Sequence, residues 1–398
     1  MSVKSNEDKP VELGFKNVVR LGYASLSTDV STEMILGVLP FFIVKDLGGT
    51  AGILGIIEGV AEAVNYLFRV FAGVVTDKIR RRKPLVLLGY ALSSIAKPLF
   101  AVSASWSQAF IVRITDRAGK GIRTSPRDAL ISDSVSSARS GRAFGLHRSL
   151  DQLGAVMGPI LAFAVIPFIG IRGVFLLSFV PAAMALTILL FFVRDSAESA
   201  GRSSVFQNAR EVLNRRFILL LLTLGVFAAG AYNFSFILLK AGDLGLSESQ
   251  IPLVYAVVNV GAVVLGVPAG ILADRIGKVP VLGLSYMIFI VTSLGGLLLA
   301  GNPLYAFLIG FLFGSYLAIS ETVQRAIIPD FAKPQLKGTA YAIYYSVIGL
   351  GSLVANVVFG GLWSGIGPTA AFQYSVAAGI VGFLVLVTFL IREARQVH

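Results

Sequence analysis

Cysteine is absent from the 398 residues, and histidine occurs only twice. The first absence excludes disulfides, thiolate metal sites and cysteine nucleophiles, and leaves the compartment open. The second argues against a histidine-built metal centre, so neither a metal nor a cofactor is expected. Charge is scarce as well, with Asp, Glu, Lys and Arg making up 14% of the chain. Strand-like alternation is missing, which leaves helices as the structural element. No Gly-x4-Gly-Lys-Ser/Thr run is present, so a Walker-type nucleotide site is excluded. No nucleophile with a base and an orienting partner stands out, which argues against an enzyme.

Apolar residues dominate, at 55% of the chain with a mean hydropathy of +0.79. Apolar runs of about 20 residues recur, the length a helix needs to cross a hydrocarbon core about 30 Å thick. The 42 glycines suit helices that must approach closely in lipid. The fold class is therefore an all-α membrane protein, with a lipid bilayer as its surroundings. Spans are expected near 17–44, 51–76, 84–104, 106–123, 142–168, 172–193, 217–240, 250–273, 279–300, 303–325, 338–362 and 368–391, twelve transmembrane helices in all. The first 16 residues are polar and the stretch after them carries two acids, so no cleaved signal peptide is expected.

The formal charge of +12 lies mostly in alternate connections: Lys78 with Arg80 to Lys83, Arg127 with Arg139 and Arg142, Arg194 to Arg216, Arg275 with Lys278, and Lys333 with Lys337. The other connections hold little beyond Lys45, Arg172 and Lys240. By the positive-inside rule both termini are cytoplasmic, and the basic excess reports topology, not nucleic-acid binding. Trp106 and Trp363 fall at expected outer helix ends, where indole rings anchor to headgroups. Lys97 reads as a side chain near the outer end of its helix that snorkels to the interface.

The longest polar stretch, Arg194 to Arg216, lies mid-chain and reads as a linker. Shifting the sequence by 197 residues places AGVVTDKI at 72–79 on AGILADRI at 269–276. Without a gap, Asp133 then meets Asp330, Gly141 meets Gly338, and Gly154 meets Gly351. The expected organisation is a tail (1–16), a six-helix bundle (17–194), a cytoplasmic linker (195–216), a second six-helix bundle (217–392) and a tail (393–398). Parallel repeats of this kind recur in transporters, with the substrate site at their interface.

GVVTDKIRRRK at 73–83 and GILADRIGK at 270–278 resemble the loop motif of the major facilitator superfamily, in which Gly is followed four residues on by an acid and then by bases. Arg80 stands where that motif usually has Gly, and the second copy breaks off at Val279-Pro280. The resemblance implies a cytoplasmic gate built on Gly73, Asp77, Lys78 and Arg81 and on Gly270, Asp274 and Arg275. An acid at a helix C-terminus opposes the macrodipole, so Asp77 and Asp274 need a basic or helix-end partner. A topological stop signal of bases alone would also explain Arg80 to Lys83, though not the repeated Gly and Asp. GAVMGP at 154–159 resembles the family's exporter and antiporter motif Gly-x-x-x-Gly-Pro, through Gly154, Gly158 and Pro159. Plain close packing is the alternative for this motif.

RITDRAGKGIRTSPRD at 113–128 is too polar for hydropathy to mark as a span, but its repeat mate at 307–330 is plainly a membrane helix. The expected helix, 106–123, carries Arg113, Asp116, Arg117, Lys120 and Arg123 within an arc of about 120°. RAGKG at 117–121 resembles the family pattern Arg-x-x-Gln-Gly, with Lys120 in place of Gln. Asp29 and Glu33 form a second stripe, Glu58, Glu62, Asn65 and Arg69 a third, and His147, Arg148 and Asp151 extend it on the fifth span. Charge at mid-bilayer costs at least about 2.5 kcal/mol per group on insertion scales, so these groups must face one another or an aqueous cavity. The repeat mates are nearly uncharged: Glu58 becomes Tyr255, Glu62 becomes Asn259 and Arg113 becomes Gly310.

These features, with the resemblance, predict a secondary transporter that moves a small molecule by alternating access, coupled to protons and exporting an amphipathic compound. Asp29, Glu33, Glu62 and Asp116 are the candidate proton carriers, with Arg113 and Arg117 switching between them. Glu58, Arg69, Lys120, His147, Arg148 and Asp151 complete the network; His147 reads either as a relay or as a gate hydrogen bond to Asp151. The substrate cavity is expected to draw on Asp29, Glu33, Arg113, Arg117, Tyr232, Asn233, Tyr255, Asn259, Tyr316 and Glu321. Three alternatives stand beside this: static ion pairs between helices, an organic-anion or organophosphate carrier using Arg113, Arg117 and Lys120, and a receptor or membrane enzyme on a transporter scaffold. A monomer in the cytoplasmic membrane of a prokaryote is expected.

Overall fold

The computed structural model describes residues 14–78, 81–195, 209–333 and 336–397, with side chains omitted at 77–78, 137–138, 209–210 and 392–397. Within these residues the chain is helical and has no strand. The first helices are α1 (Phe15–Leu36), α2 (Ala51–Lys78), α3 (Lys83–Ala96), α4 (Trp106–Asp133), α5 (Ser137–Leu177) and α6 (Phe179–Phe191). They are followed by α7 (Arg215–Ala228), α8 (Phe234–Asp243), α9 (Ile251–Ile276), α10 (Lys278–Leu298), α11 (Leu304–Ile327), α12 (Lys337–Gly365) and α13 (Pro368–Val397). Nine helical stretches among the described residues are long and apolar enough to cross a membrane. The longest of these, Arg139–Phe191, turns at Gly170, whose φ of +65° only glycine adopts readily.

Two spans depart from the sequence expectation. α4 continues ten residues past 123, through Pro126 to Asp133, so all of RITDRAGKGIRTSPRD is helical. Its start is fixed by a reciprocal cap in which Ser105 Oγ accepts from the Gln108 amide and Gln108 Oε1 accepts from the Ala104 amide. The expected span 217–240 is broken between α7 and α8. Unwinding exposes carbonyls that a membrane interior cannot hydrate, and α13 satisfies them. Tyr374 donates to the Ala229 carbonyl at 2.7 Å and Ser375 to that of Gly230 at 2.9 Å. Asn233 restarts the helix by accepting from the Ser235 amide, while its own amide donates to Asn356 Oδ1 of α12.

Glycines set the helix crossings, as expected where lipid provides no hydrophobic drive for association. Gly89 of α3 and Gly119 of α4 pack backbone to backbone. A Cβ on Gly154 would lie 2.6 Å from the Leu26 carbonyl oxygen, and one on Gly158 would lie 2.8 Å from Glu33 Cβ, so α5 runs directly along α1. At the end of the bundle away from the chain termini, Gly52, Gly55 and Gly59 of α2 press against Leu353 to Ser364 of α12, and Gly52 N donates to Ser364 Oγ at 2.6 Å. There too, Gly37 meets Pro252 and Tyr255, and Gly242 of α8 meets the Phe41 ring. Toward the termini the packing loosens. A Cβ on Gly141 or Gly145 of α5, or on Gly266 of α9, meets nothing within 4 Å.

Candidate functional site

The charged face of α4 organises the site, because α2 runs parallel to it and lays its acids alongside. Arg113 Nη2 meets Glu58 Oε2 at 2.7 Å, and each side chain is 1% exposed. One turn on, Arg117 lies 3.8 Å from Glu62 and 4.0 Å from Asp116. Asp116 is also 3.6 Å from Arg113 and accepts from Ser93 of α3 at 2.5 Å. Toward the termini, Arg123 stacks on Tyr90 at 4.5 Å and Arg127 donates to Ser25 of α1 at 3.1 Å. His147 Nδ1 lies 3.6 Å from Asp151.

Asp29 and Glu33 line the same space from α1, where Gly154 and Gly158 back them from behind. Both act electrostatically on Lys120, as does Glu62. Neither Asp29 nor Lys120 has a side-chain hydrogen bond or ion pair among the described residues. Glu33 is 8% exposed, and its Oε2 has no hydrogen-bond partner. Nε of both Arg113 and Arg117 is likewise unpartnered, as is Oε1 of Glu58. Arg113–Glu58 is the short, dry pair even though each keeps one unpartnered atom, while Arg117 is held only by contacts of 3.8 and 4.0 Å and also keeps its Nε unused.

From the other side, Tyr255 of α9 reaches Glu33 and stacks on Phe234 at 4.5 Å. Asn259 donates to the Ala155 carbonyl of α5 at 2.7 Å. Glu321 pairs with Arg325 at 2.6 Å, one turn apart on α11. Arg69 sits 4.4 Å over the Tyr345 ring, which itself stacks on Tyr66 across α2 and α12.

Several expected members lie elsewhere. Tyr232 is packed among Phe289, Phe313, Phe359 and Phe372, and Tyr316 among Phe227, Phe289 and Phe313, in an aromatic core. Asn233 serves as the α8 cap. Arg148 is exposed, because it lies about 100° around α5 from the His147–Asp151 face. Lys97 does not snorkel: it is 1% exposed and bonded to α1.

Where the loop motif predicts a gate, Gly73 lies near Ser125, while the side chains of Asp77 and Lys78 fall outside the described residues. Arg81, Asp274 and Arg275 are exposed. Gly270 faces Thr322, and Asp274 lines a cavity of about 640 Å³ with Asn214, Lys278 and Asp330. Ion pairs at this end include Arg82 with Asp133 and Lys278 with Asp330 at 2.6 Å. The acids of these pairs are repeat mates, a signal the 197-residue shift contained without assigning them a role. Asp195 accepts from the amides of Arg82 and Lys83 and so fixes the start of α3.

A multi-pass helical membrane protein with a balanced row of buried acids and bases is a transporter architecture, not a catalytic one. The sequence profile of the Major Facilitator Superfamily matches residues 21–241 and 219–398, and the chain belongs to that family of transporters. An uncharacterised MFS-type transporter of Methanocaldococcus jannaschii is 33% identical over 394 residues, 97% of this chain and 98% of its relative. The multidrug resistance protein MdtG of Escherichia coli is 24% identical over 386 residues, 92% of each chain. The crystal structure of the nucleoside transporter NupG shares the fold, with a TM-score of 0.75 at 12% identity, over 94% of this chain and 98% of that one.

Proposed function

We propose that the protein is a proton-coupled antiporter that exports an amphipathic compound. In this reading twelve crossings form two six-helix halves, a single chain suffices, and both termini are cytoplasmic. The far end is then the outer face, closed by α2 on α12, and the loosened α5 and α9 open inward.

The observation that carries the reading is the graded network along α4. Asp29 has no bonded partner among the described residues and Glu33 meets the neutral Tyr255, both near Lys120, whereas Glu58 is paired with Arg113 at 2.7 Å. A coupling carboxylate must be free to exchange its partner for a proton as access alternates, and a locked one cannot. That the relative MdtG is a multidrug resistance protein agrees with export.

The test is flux in proteoliposomes under an imposed pH gradient, comparing the parent with Asp29→Asn, Glu33→Gln, Glu62→Gln and Asp116→Asn. Loss of gradient-driven flux with retained substrate exchange in at least one variant is expected. Unchanged flux and pH dependence in all four would refute the coupling role and leave static ion pairs.

A second reading is an organic-anion carrier, favoured by Lys120, a half-buried cation without a bonded partner among the described residues. Thermal stabilisation by organic anions that vanishes in Arg117→Ala would select it.

A further inference from the structure

α3 contributes one buried amine that the network above leaves unused. Lys97 opens the 3-10 turn Lys97–Val102 that extends α3, and it is 1% exposed. Its Nζ donates to Ser31 Oγ at 3.1 Å and points at the Thr28 carbonyl oxygen at 3.5 Å, both on α1. It makes no ion pair among the described residues. Two neutral acceptors match the two N–H groups of an amine, whereas an ammonium has three donors and a charge to balance.

Anions are nevertheless near. Ser93, one turn before Lys97, donates to Asp116, so that carboxylate lies over the same face of α3. The charges acting on Lys97 are Asp116 and Arg123 from α4 and Asp29 and Glu33 from α1. From α5, Arg172 donates to the Ala101 carbonyl, one turn further along the 3-10 segment. Thr28 and Ser31 share their turn of α1 with Asp29, so movement of α1 relative to α3 changes which oxygen faces the amine. α1 is placed to move with the halves, since its outer end touches Pro252 and Tyr255 of α9 and its extension touches α8.

We propose that Lys97 is a proton-binding group of the transport cycle. Its Nζ takes a proton from water when α1 presents a carboxylate of Asp29 or Glu33, or when Asp116 turns to it, and returns that proton to water when Ser31 and Thr28 face it again. This rests on the proton-coupled reading and extends it from the acids to a base on α3. A lysine that only ties α3 to α1 would affect stability but not the response to pH.

The absence of native cysteine allows a test without a known substrate. Phe144→Cys on α5 and Val267→Cys on α9, both exposed, are spin-labelled in nanodiscs, and their distance distribution is followed between about pH 5 and 9. The parent is expected to redistribute between two populations with pH. In Lys97→Arg, with a fixed charge, and Lys97→Gln, with none, the transition is expected to vanish or to shift by about one pH unit or more. Two variants of different charge guard against the misfolding of one. A parent that redistributes while both variants keep its midpoint overturns the role of Lys97 and leaves proton coupling standing. A parent that does not respond to pH overturns both.

Discussion

The two arginines of α4 one turn apart are both buried, but their carboxylate partners differ in distance and exposure and should fail differently. Glu58 and Arg113 are desolvated at 2.7 Å, so Glu58→Gln leaves the buried Arg113 cation with only the longer contact to Asp116 at 3.6 Å. Breaking such a pair costs about 3–5 kcal/mol, which thermal unfolding in detergent should report as a large loss of stability. Glu62 is 22% exposed and 3.8 Å from Arg117, so Glu62→Gln should unfold near the parent temperature and show its effect in pH-driven flux instead. Equal destabilisation by the two substitutions would contradict this division. The residue scale is also where sequence reasoning was weakest. Helical periodicity found the α4 stripe because five charges share one face, but it grouped Arg148 with His147 and Asp151 although adjacent residues diverge by about 100°. A lone lysine carries no periodicity, so the sequence places Lys97 no better than at the interface, and only the helix opposite it, with Ser31 and Thr28, decides where its amine points.

Helices were more legible than residues, with α4 as the instructive case. Hydropathy rejects it, and the repeat recovers it, because its mate α11 carries only Glu321 and Arg325 and reads plainly as a span. The break between α7 and α8 was not legible. Gly230 and Asn233 permit it, but the hydroxyls that satisfy the freed carbonyls come from α13, some 145 residues away. Ser375→Ala should therefore leave the Gly230 carbonyl unpaired and lower stability by about 1–3 kcal/mol, measurable as a reduced unfolding midpoint. The α1–α5 contact makes a sharper prediction. Gly158 lies against the α1 turn that carries Glu33, so Gly158→Val forces the helices apart at that acid. Overpacking of about 1–3 kcal/mol is expected, together with loss of flux that the smaller substitution Gly154→Ala, one turn from Glu33's contact and against Asp29, reproduces only in part. Wild-type flux in Gly158→Val would remove the helix 5 motif from the site.

At the scale of the whole molecule, transport requires the tightly packed end to open, and that end is held by one long glycine-lined crossing. Gly52, Gly55 and Gly59 let α2 touch the α12 backbone, and a methyl on Gly55 would overlap the Asn356 carbonyl. A Cβ on Gly52 would sit 3.2 Å from Ser364 Oγ, which is within the reach of a disulfide between these positions. With no other thiol in the chain, Gly52→Cys with Ser364→Cys should cross-link under mild oxidant as a single species, seen as a mobility change after cleavage of the 195–216 segment. The cross-linked protein should neither transport nor exchange, and reductant should restore both. Each single cysteine variant should transport with or without oxidant, which separates locking from damage. Flux that persists in fully cross-linked protein would mean that α2 and α12 stay together throughout the cycle, and opening would then have to occur between α1, α8 and α9, where Gly37 and Gly242 make the remaining close contacts.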